Sequence, residues 1–375
     1  MLSSRERLER AWSFREPDRV PIELGISSVL RDWPSARRVR DFVDNEADNF
    51  RGAPVADWGF FGLPSQRLED VIEEVPGVFH RKRITQRTPI GDFHAIVRHS
   101  ADVLDPGDFH WERRFINTLD EMARLADAPR APIPILNEQY EKACARIGDR
   151  GLPMCSLPHA LGALVRQSAT EEVYGWMLTE PGLIHRFLDT AYAQQIQAVL
   201  AMGRLGMRPV FVTHAYEMLT PPWIGPRLFE EFVAPYDTQL HRAIHGIGAR
   251  VRAHCHGSCF RFLSRFRQIG VDAIEPLEPP PFGDTDLAEA KRLVGEGMLL
   301  SGNIPSQMFH RWSVCDVRDS IRNAVRAAAR GGGFTLRLSG GDLGPWNFAD
   351  KAESAKAIEN VEAYIDAARE FGRYA

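Results

Sequence analysis

Apolar and polar positions along this chain settle into a repeating rhythm after about residue 118. Short apolar, β-rich runs at 152–157, 209–213, 250–256, 271–275, 298–302 and 333–339 alternate with stretches whose apolar residues recur every three to four positions. The first kind of run predicts buried strands and the second amphipathic helices. Helix-start signals sit where the pattern needs them. Pro181 and Pro226 fall in first turns, Asp284, Asp316 and Asp350 lie near caps, and Thr118-Leu-Asp-Glu121 spells a capping box. The helix predicted from Pro226 carries Phe229, Phe232, Val233, Tyr236 and Leu240 on one stripe, which reads as core packing.

The first 117 residues are less regular. A short helix over 3–13 ends before Pro17, and Val20-Pro21-Ile22-Glu23-Leu24 reads as a strand. Between Val78 and Val97, alternating segments flank Thr88-Pro89-Ile90-Gly91-Asp92, the pattern of a hairpin. Strand–helix alternation implies parallel strands joined by crossover helices. Six such units, the strand near Val20 and one hidden strand would close a distorted (β/α)8 barrel. The expectation is a single α/β domain over 1–375, with 1–117 as an N-terminal extension holding the first strand and the hairpin. An open doubly wound sheet is the rival architecture, but no G-x-G-x-x-G follows any strand. The nearest string, Gly246-Ile-Gly248, breaks the pattern.

Composition narrows the function classes. With 44% hydrophobic residues the 375-residue chain can bury a large core, and 26% charged residues is ordinary for a soluble protein. A net charge of -4 and a pI near 6.3 give no reason to expect nucleic acid or an anionic membrane as partner. The basic clusters Arg37-Arg38, Arg81-Lys82-Arg83 and Arg113-Arg114 are short and scattered, like solvated loop faces. Met1 to Trp12 holds five charges, unlike a signal peptide, and no run approaches the ~18 apolar residues of a spanning helix. Five cysteines without framework spacing (Cys144, Cys155, Cys255, Cys259, Cys315) predict a reduced, cytoplasmic protein. Cys144 and Cys315, in helical surroundings, read as small apolar residues.

Catalytic groups of a barrel hang from the C-terminal ends of its strands. Those ends supply Ser156 and His159, His214 and Glu217, His254 and His256, Glu275 and Glu278, Asn303, then Ser339 and Asp342. Alternate strand residues share a face, so His254 and His256 point to one side and Cys255 faces the helices. Hydrogen-bonded core histidines would produce the same spacing. The run Glu275-Pro-Leu-Glu278-Pro-Pro-Pro holds a carboxylate on stiff backbone, as a solvated rigid loop also does. Two imidazoles and one carboxylate with an open fourth position match a catalytic zinc site, expected as His254, His256 and Glu278. Glu217 or Asp342 is the candidate fourth ligand or general base, and Asn303 and Ser339 are candidate cofactor contacts. In a metal-free reading, Glu217 and His214 form an acid–base pair. Trp58, Phe60, Phe61, Trp223 and Trp346 are candidate pocket aromatics or plain rim plugs.

Several segments together resemble the uroporphyrinogen decarboxylase superfamily: Pro17-Asp18-Arg19-Val20-Pro21, Pro222 through Phe229-Glu-Glu-Phe232-Val-Ala-Pro235, His254 to Gly257, Gly270-Val-Asp272-Ala-Ile and Gly302-Asn303-Ile304. The resemblance covers nearly the whole chain and implies a distorted (β/α)8 barrel, a ligand at its C-terminal mouth and a homodimer. True uroporphyrinogen decarboxylases carry an arginine-rich R-Q-A-G-R-Y-type segment, where this chain has Trp12-Ser-Phe-Arg-Glu-Pro. The chain is more similar to the branch of zinc-dependent methyltransferases that exchange methyl groups with corrinoid proteins. That branch uses His-x-Cys, a Glu some twenty residues on and a later Cys. Here His256 stands at the Cys position, Glu278 follows 22 residues after it, and Ser339-Gly340-Gly341-Asp342 holds no thiol. A site with fewer thiolates makes a stronger Lewis acid, suited to polarising oxygen. The implied reaction removes a methyl group from a small O-methyl or N-methyl compound. No D-x-H-x-x-G corrinoid motif is present, so the corrinoid is expected on another protein. The alternative is decarboxylation or another lyase reaction of a tetrapyrrole or other carboxylated substrate.

Overall fold

The structure, a computed structural model, describes residues 2–101 and 109–374. Its strands in chain order are β1 (Asn49–Gly52), β2 (Gln66–Val75), β3 (Phe79–Thr88), β4 (Gly91–Ser100), β5 (His110–Arg113), β6 (Gly151–Leu157), β7 (Val210–Thr213), β8 (Arg250–Cys255), β9 (Ala273–Pro276), β10 (Leu299–Ile304) and β11 (Phe334–Leu338). β1 and β6 to β11 form a seven-stranded sheet in that order, with every pairing parallel. The six predicted runs are β6 to β11. The hidden strand is β1, whose Asn-Phe-Arg-Gly sequence buries only Phe50.

Residues 20–24 lie between β11 and β1 and bond to both. Glu23 N–H donates to Leu336 O at 2.8 Å, Leu336 N–H to Pro21 O at 2.9 Å, and Asp48 N–H to Ile22 O at 2.8 Å. That segment is the eighth stave, and the ring is the expected distorted (β/α)8 barrel. The helix Ser4–Trp12, capped by Ser3, plugs the bottom. Leu8, Ala11 and Trp12 pack against Phe50, Leu152, Val210, Val212, Ala273 and Leu299 in a small core separate from the main one between sheet and helices.

An ion network ties this plug to the eighth stave and explains the Pro17-Asp18-Arg19 string. Arg7 grips Asp18 at 2.7 Å and the fully buried Asp48 at 2.7 Å, and Arg19 reaches Asp48 at 2.5 Å. Asp48 Oδ2 also accepts the Ile22 N–H at 3.0 Å.

The predicted hairpin is β3–β4, inside a four-stranded antiparallel sheet in the order β2-β3-β4-β5. All of it lies in the chain between β1 and β6. It is therefore an outgrowth of a loop that leaves a strand's C-terminal end, and such loops sit at the barrel mouth. Ile84, Phe93, Ala95 and Val97 are its buried face, whereas β2 is exposed along almost its whole length.

Local signals were partly redrawn. The helix expected from Pro226 is two, Pro226–Phe232 and Ala234–Gly246, because Pro235 offers no N–H and its ring crowds the preceding turn. All five stripe residues are nonetheless buried. Thr118 does accept from Glu121 N–H, but the Glu121 carboxylate answers Asn117 N–H at 2.6 Å. Asp286, not Asp284, caps the helix Leu287–Val294. Among the described residues no helix is long and apolar enough to cross a membrane.

Burial works to raise the Asp18 carboxyl, but the Arg7 guanidinium outweighs it and holds it at about 2 against an ordinary 3.8. A depressed folded value means stability that is present above pH 3.8 and lost as pH falls towards 2. Asp18→Asn is expected to cost about 1–2 kcal/mol at pH 7 after allowance for its partial exposure. In urea titrations, the gap between wild type and variant should shrink between about pH 4 and pH 2.

Candidate active site at the barrel mouth

β8 carries the centre of the site. Val251, Ala253 and Cys255 pack in the main core facing the helices, as the alternation predicts for Cys255. Arg252, His254 and, just past the strand, His256 take the other side. Gly257 follows at φ +75°, a left-handed conformation suited to glycine, and turns the chain away.

Below the histidines lies a buried lattice of charge. Glu23 accepts from Arg252 at 2.8 Å, Arg337 at 3.3 Å, Ser301 Oγ at 2.7 Å and Thr335 Oγ1 at 2.5 Å. Glu275 pairs with the same Arg252 at 3.1 Å and with Arg337 Nε. Its other oxygen accepts from His254 Nδ1 at 3.2 Å. Burial would raise the Glu275 carboxyl, yet Arg252, Arg337 and His254 together drive it well below the ordinary value.

Above the lattice the second imidazole is oriented in the same way. His256 Nδ1 stands 3.3 Å from Glu278 Oε2. Glu278 Oε2 also accepts the Gly257 N–H at 2.6 Å, and its Oε1 accepts from Gln307 Nε2 at 2.8 Å. The hydrogen bond to Glu278 raises the His256 pKa despite partial burial. The two rings lie 4.6 Å apart between centroids, and His214 lies 5.1 Å from His254. Burial, helped by the charge of His254, pushes His214 down to about 4, so it is a neutral imidazole near pH 7. Both carboxylate-held histidines use Nδ1 for the contact, and neither Nε2 bonds to a described residue.

The expected zinc set does not fit this arrangement as it stands. Both Glu278 oxygens are engaged, and among the described residues no three His, Cys, Asp or Glu side chains are placed to hold a metal ion. Glu278 stands as an orienting carboxylate, held by the Gly257 N–H and the Gln307 amide.

The other predicted residues spread around the mouth. Glu217 is in the turn Tyr216–Leu219; its charge reaches His256, and its buried Oε2 lacks a hydrogen-bond partner among the described residues. Asp342 keeps contact with solvent, with its carboxyl pressed on Gly25, where a Cβ would lie 2.1 Å away. Surrounding protein raises its pKa against the pull of Arg337. Asn303 lies opposite Arg337 in the β10–β11 register, and Ser339 is buried with an unpartnered Oγ. Neither makes a hydrogen bond to the histidines. His159 belongs elsewhere: it is buried, donating to Asp237 at 3.2 Å beside Tyr192 and Tyr216.

The proposed aromatics are dispersed. Phe60 is core, Trp58 and Phe61 line a separate small cavity, Trp223 stacks on Tyr174, and Trp346 donates to Asp342 O. Cys144 is half-buried and Cys315 exposed. A larger cavity of about 740 Å³ lies between the four-stranded sheet and the ends of β6 and β7, with His214 in its wall.

Arg252 and Arg337 are what the sequence reading missed. Both alternate with apolar residues, as Arg252-Ala-His254 and Thr335-Leu-Arg337-Leu-Ser339, and the alternation that located the histidines would have pointed both guanidiniums inward.

A (β/α)8 barrel with imidazoles and carboxylates at its C-terminal mouth defines the class of this protein. The uroporphyrinogen decarboxylase (URO-D) family model matches residues 140–371, and the chain belongs to that family. A uroporphyrinogen decarboxylase from Microcystis aeruginosa is 22% identical over 96% of this chain and 92% of its own length. A solved methyltransferase from Methanosarcina mazei superposes with a TM-score of 0.60 at 14% identity, covering 99% of each chain. Family and structural neighbour are enzymes, one named for decarboxylation and the other for methyl transfer.

Breaking the lattice leaves an uncompensated buried charge. Arg252→Met is expected to cost about 3–5 kcal/mol, measured as a lowered urea midpoint. A cost below about 1 kcal/mol would mean that the floor is not held by these pairs.

Proposed function

We propose that this enzyme moves a methyl group from a small O-methyl or N-methyl compound to a corrinoid carried by a separate protein. The observation that carries the reading is the pair of carboxylate-oriented imidazoles at the mouth. For an O-methyl donor the carbon–oxygen bond breaks with its electron pair left on oxygen, and that oxygen needs a proton. His256, held at Nδ1 by Glu278, is placed to give one from Nε2. His254, locked by Glu275, orients the donor, and the neutral His214 beside it adds no charge to the mouth. A reduced corrinoid, when bound, supplies the electron pair that takes up the methyl group. A protonated imidazole thus does for the leaving oxygen what a Lewis-acid metal would do. The fold shared with the Methanosarcina mazei methyltransferase along the whole chain supports the reading.

A second reading has its own support in the family match and the name of the Microcystis relative. It is decarboxylation or a related lyase reaction, with Glu217 and His214 as the acid–base groups. Against it, Arg252 and Arg337, the cations nearest the mouth histidines, are already neutralised by Glu23 and Glu275.

Anaerobic incubation with cob(I)alamin and a panel of methyl ethers and methylamines tests the proposal. Methylcobalamin should form, followed by its absorbance, and His256→Ala should slow transfer from O-methyl donors about 10²–10⁴-fold. Release of carbon dioxide from a porphyrinogen, with no methylcobalamin from any donor, would establish the second reading instead. Zinc is measured on the same samples. Transfer abolished by a chelator and restored by zinc would assign His254 and His256 to a metal, with Glu278 released from Gly257 and Gln307.

A further inference from the structure

The cavity of about 740 Å³ beneath the four-stranded sheet has a size suited to a small-molecule ligand and a charge of one sign. Its walls include Arg67, Arg114 and Arg166, and among the described residues lining it none is a carboxylate. Arg67 is satisfied by Glu69 at 2.7 Å. The other two form no ion pair with a described residue. Arg114 donates to the backbone oxygen of Arg166, which ties β5 to the end of the helix Ala160–Gln167. The Arg166 guanidinium makes no hydrogen bond or ion pair with a described residue. Glu171 is the acidic group whose charge reaches Arg114, and burial together with the like charge of Arg166 still lowers the Arg114 pKa. Two guanidiniums in one cavity wall, one of them half-buried, form a site where an anion relieves the repulsion.

The same cavity has an aromatic side. Phe109 meets Trp111 edge-on at 5.1 Å, Trp111 meets the buried Phe115 at 5.9 Å, and the Arg114 guanidinium lies 5.3 Å over the Trp111 ring. A flat ring has faces and edges to meet here. His214, in the same wall, links the cavity to His254.

We propose that this cavity binds a small aromatic carboxylate, its carboxylate on Arg114 and Arg166 and its ring against Phe109 and Trp111. The far end of the ligand then faces His214 and the mouth histidines. The carboxylate is a handle there, and the group that reacts is at the other end of the ring. This assignment rests on the mouth being the place of reaction, but binding is measured without turnover, so it fails or stands separately from methyl transfer.

Benzoate and its neutral counterpart benzamide are the probes, titrated into the full-length protein by calorimetry with tryptophan fluorescence as a second signal. Benzoate should bind at least about 10-fold more tightly than benzamide, a difference of the size one charge-assisted contact gives. Arg166→Gln, at an exposed position, should remove most of that preference while leaving the melting temperature and benzamide affinity unchanged. Arg114→Gln should also reduce the preference at the second contact, with the loss of its bond to the Arg166 oxygen read separately as a lower melting temperature. Equal affinity for the two probes in wild type, or a preference that survives in the double variant, would overturn the proposal.

Discussion

Two guanidiniums and two carboxylates meet inside this barrel, away from water, and the rest of the active centre is stacked on them. Ions in such a place are expensive unless each is matched in charge and in hydrogen bonds. Glu23 and Glu275 each contact both Arg252 and Arg337, while Ser301 and Thr335 fill further positions on Glu23. The contributors come from the eighth stave and from β8, β9, β10 and β11. The lattice therefore fixes five neighbouring elements relative to one another at one height. Polar networks of this kind specify a single arrangement more strongly than apolar contacts do.

Function is graded along the barrel axis from that height. The layer below is apolar and closed by Trp12 and its helix. The layer above begins with Glu275, which belongs to the lattice on one side and to His254 on the other. His256 and Glu278 repeat the imidazole–carboxylate arrangement one step nearer to solvent, with His256 about 40% exposed. The two histidines thus have similar partners and different surroundings. His254 is anchored to buried charge, whereas His256 is attached to a loop carboxylate and opens to the mouth. That difference leaves one ring fixed over buried charge and the other open to solvent.

The sequence showed seven of the eight staves, six because strands covered on both faces leave dense apolar runs and the seventh in Val20–Leu24. It hid β1, four residues with one buried side chain. The break at Val233 was legible in Pro235 and was masked by a stripe that stays in phase across it. At the site, period-two spacing paired His254 with His256 and turned Cys255 outward. What it could not show was how Glu278 spends its oxygens. The Gly257 N–H and Gln307 come from a turn and from β10's exit, neighbours that only the folded chain brings near. Arg252 and Arg337 were hidden for the opposite reason, since arginine in a sequence suggests a solvated surface. His159 sat at a strand end like the others, yet its side chain turned to Asp237 behind the ring.

The four-stranded sheet over the mouth is a single swollen loop between β1 and β6, and lengthening a loop costs a barrel little closure entropy. None of the lattice residues belongs to it. Part of the cavity wall is thus supplied by a segment whose strand order and length can change without altering the register of any barrel strand. The ring carries the buried lattice and the paired histidines, while the wall of the large cavity is shared between the outgrowth and the helix Ala160–Gln167. The outer edge of β2 is exposed and, among the described residues, pairs with no further strand, so the outgrowth can extend there without disturbing the ring.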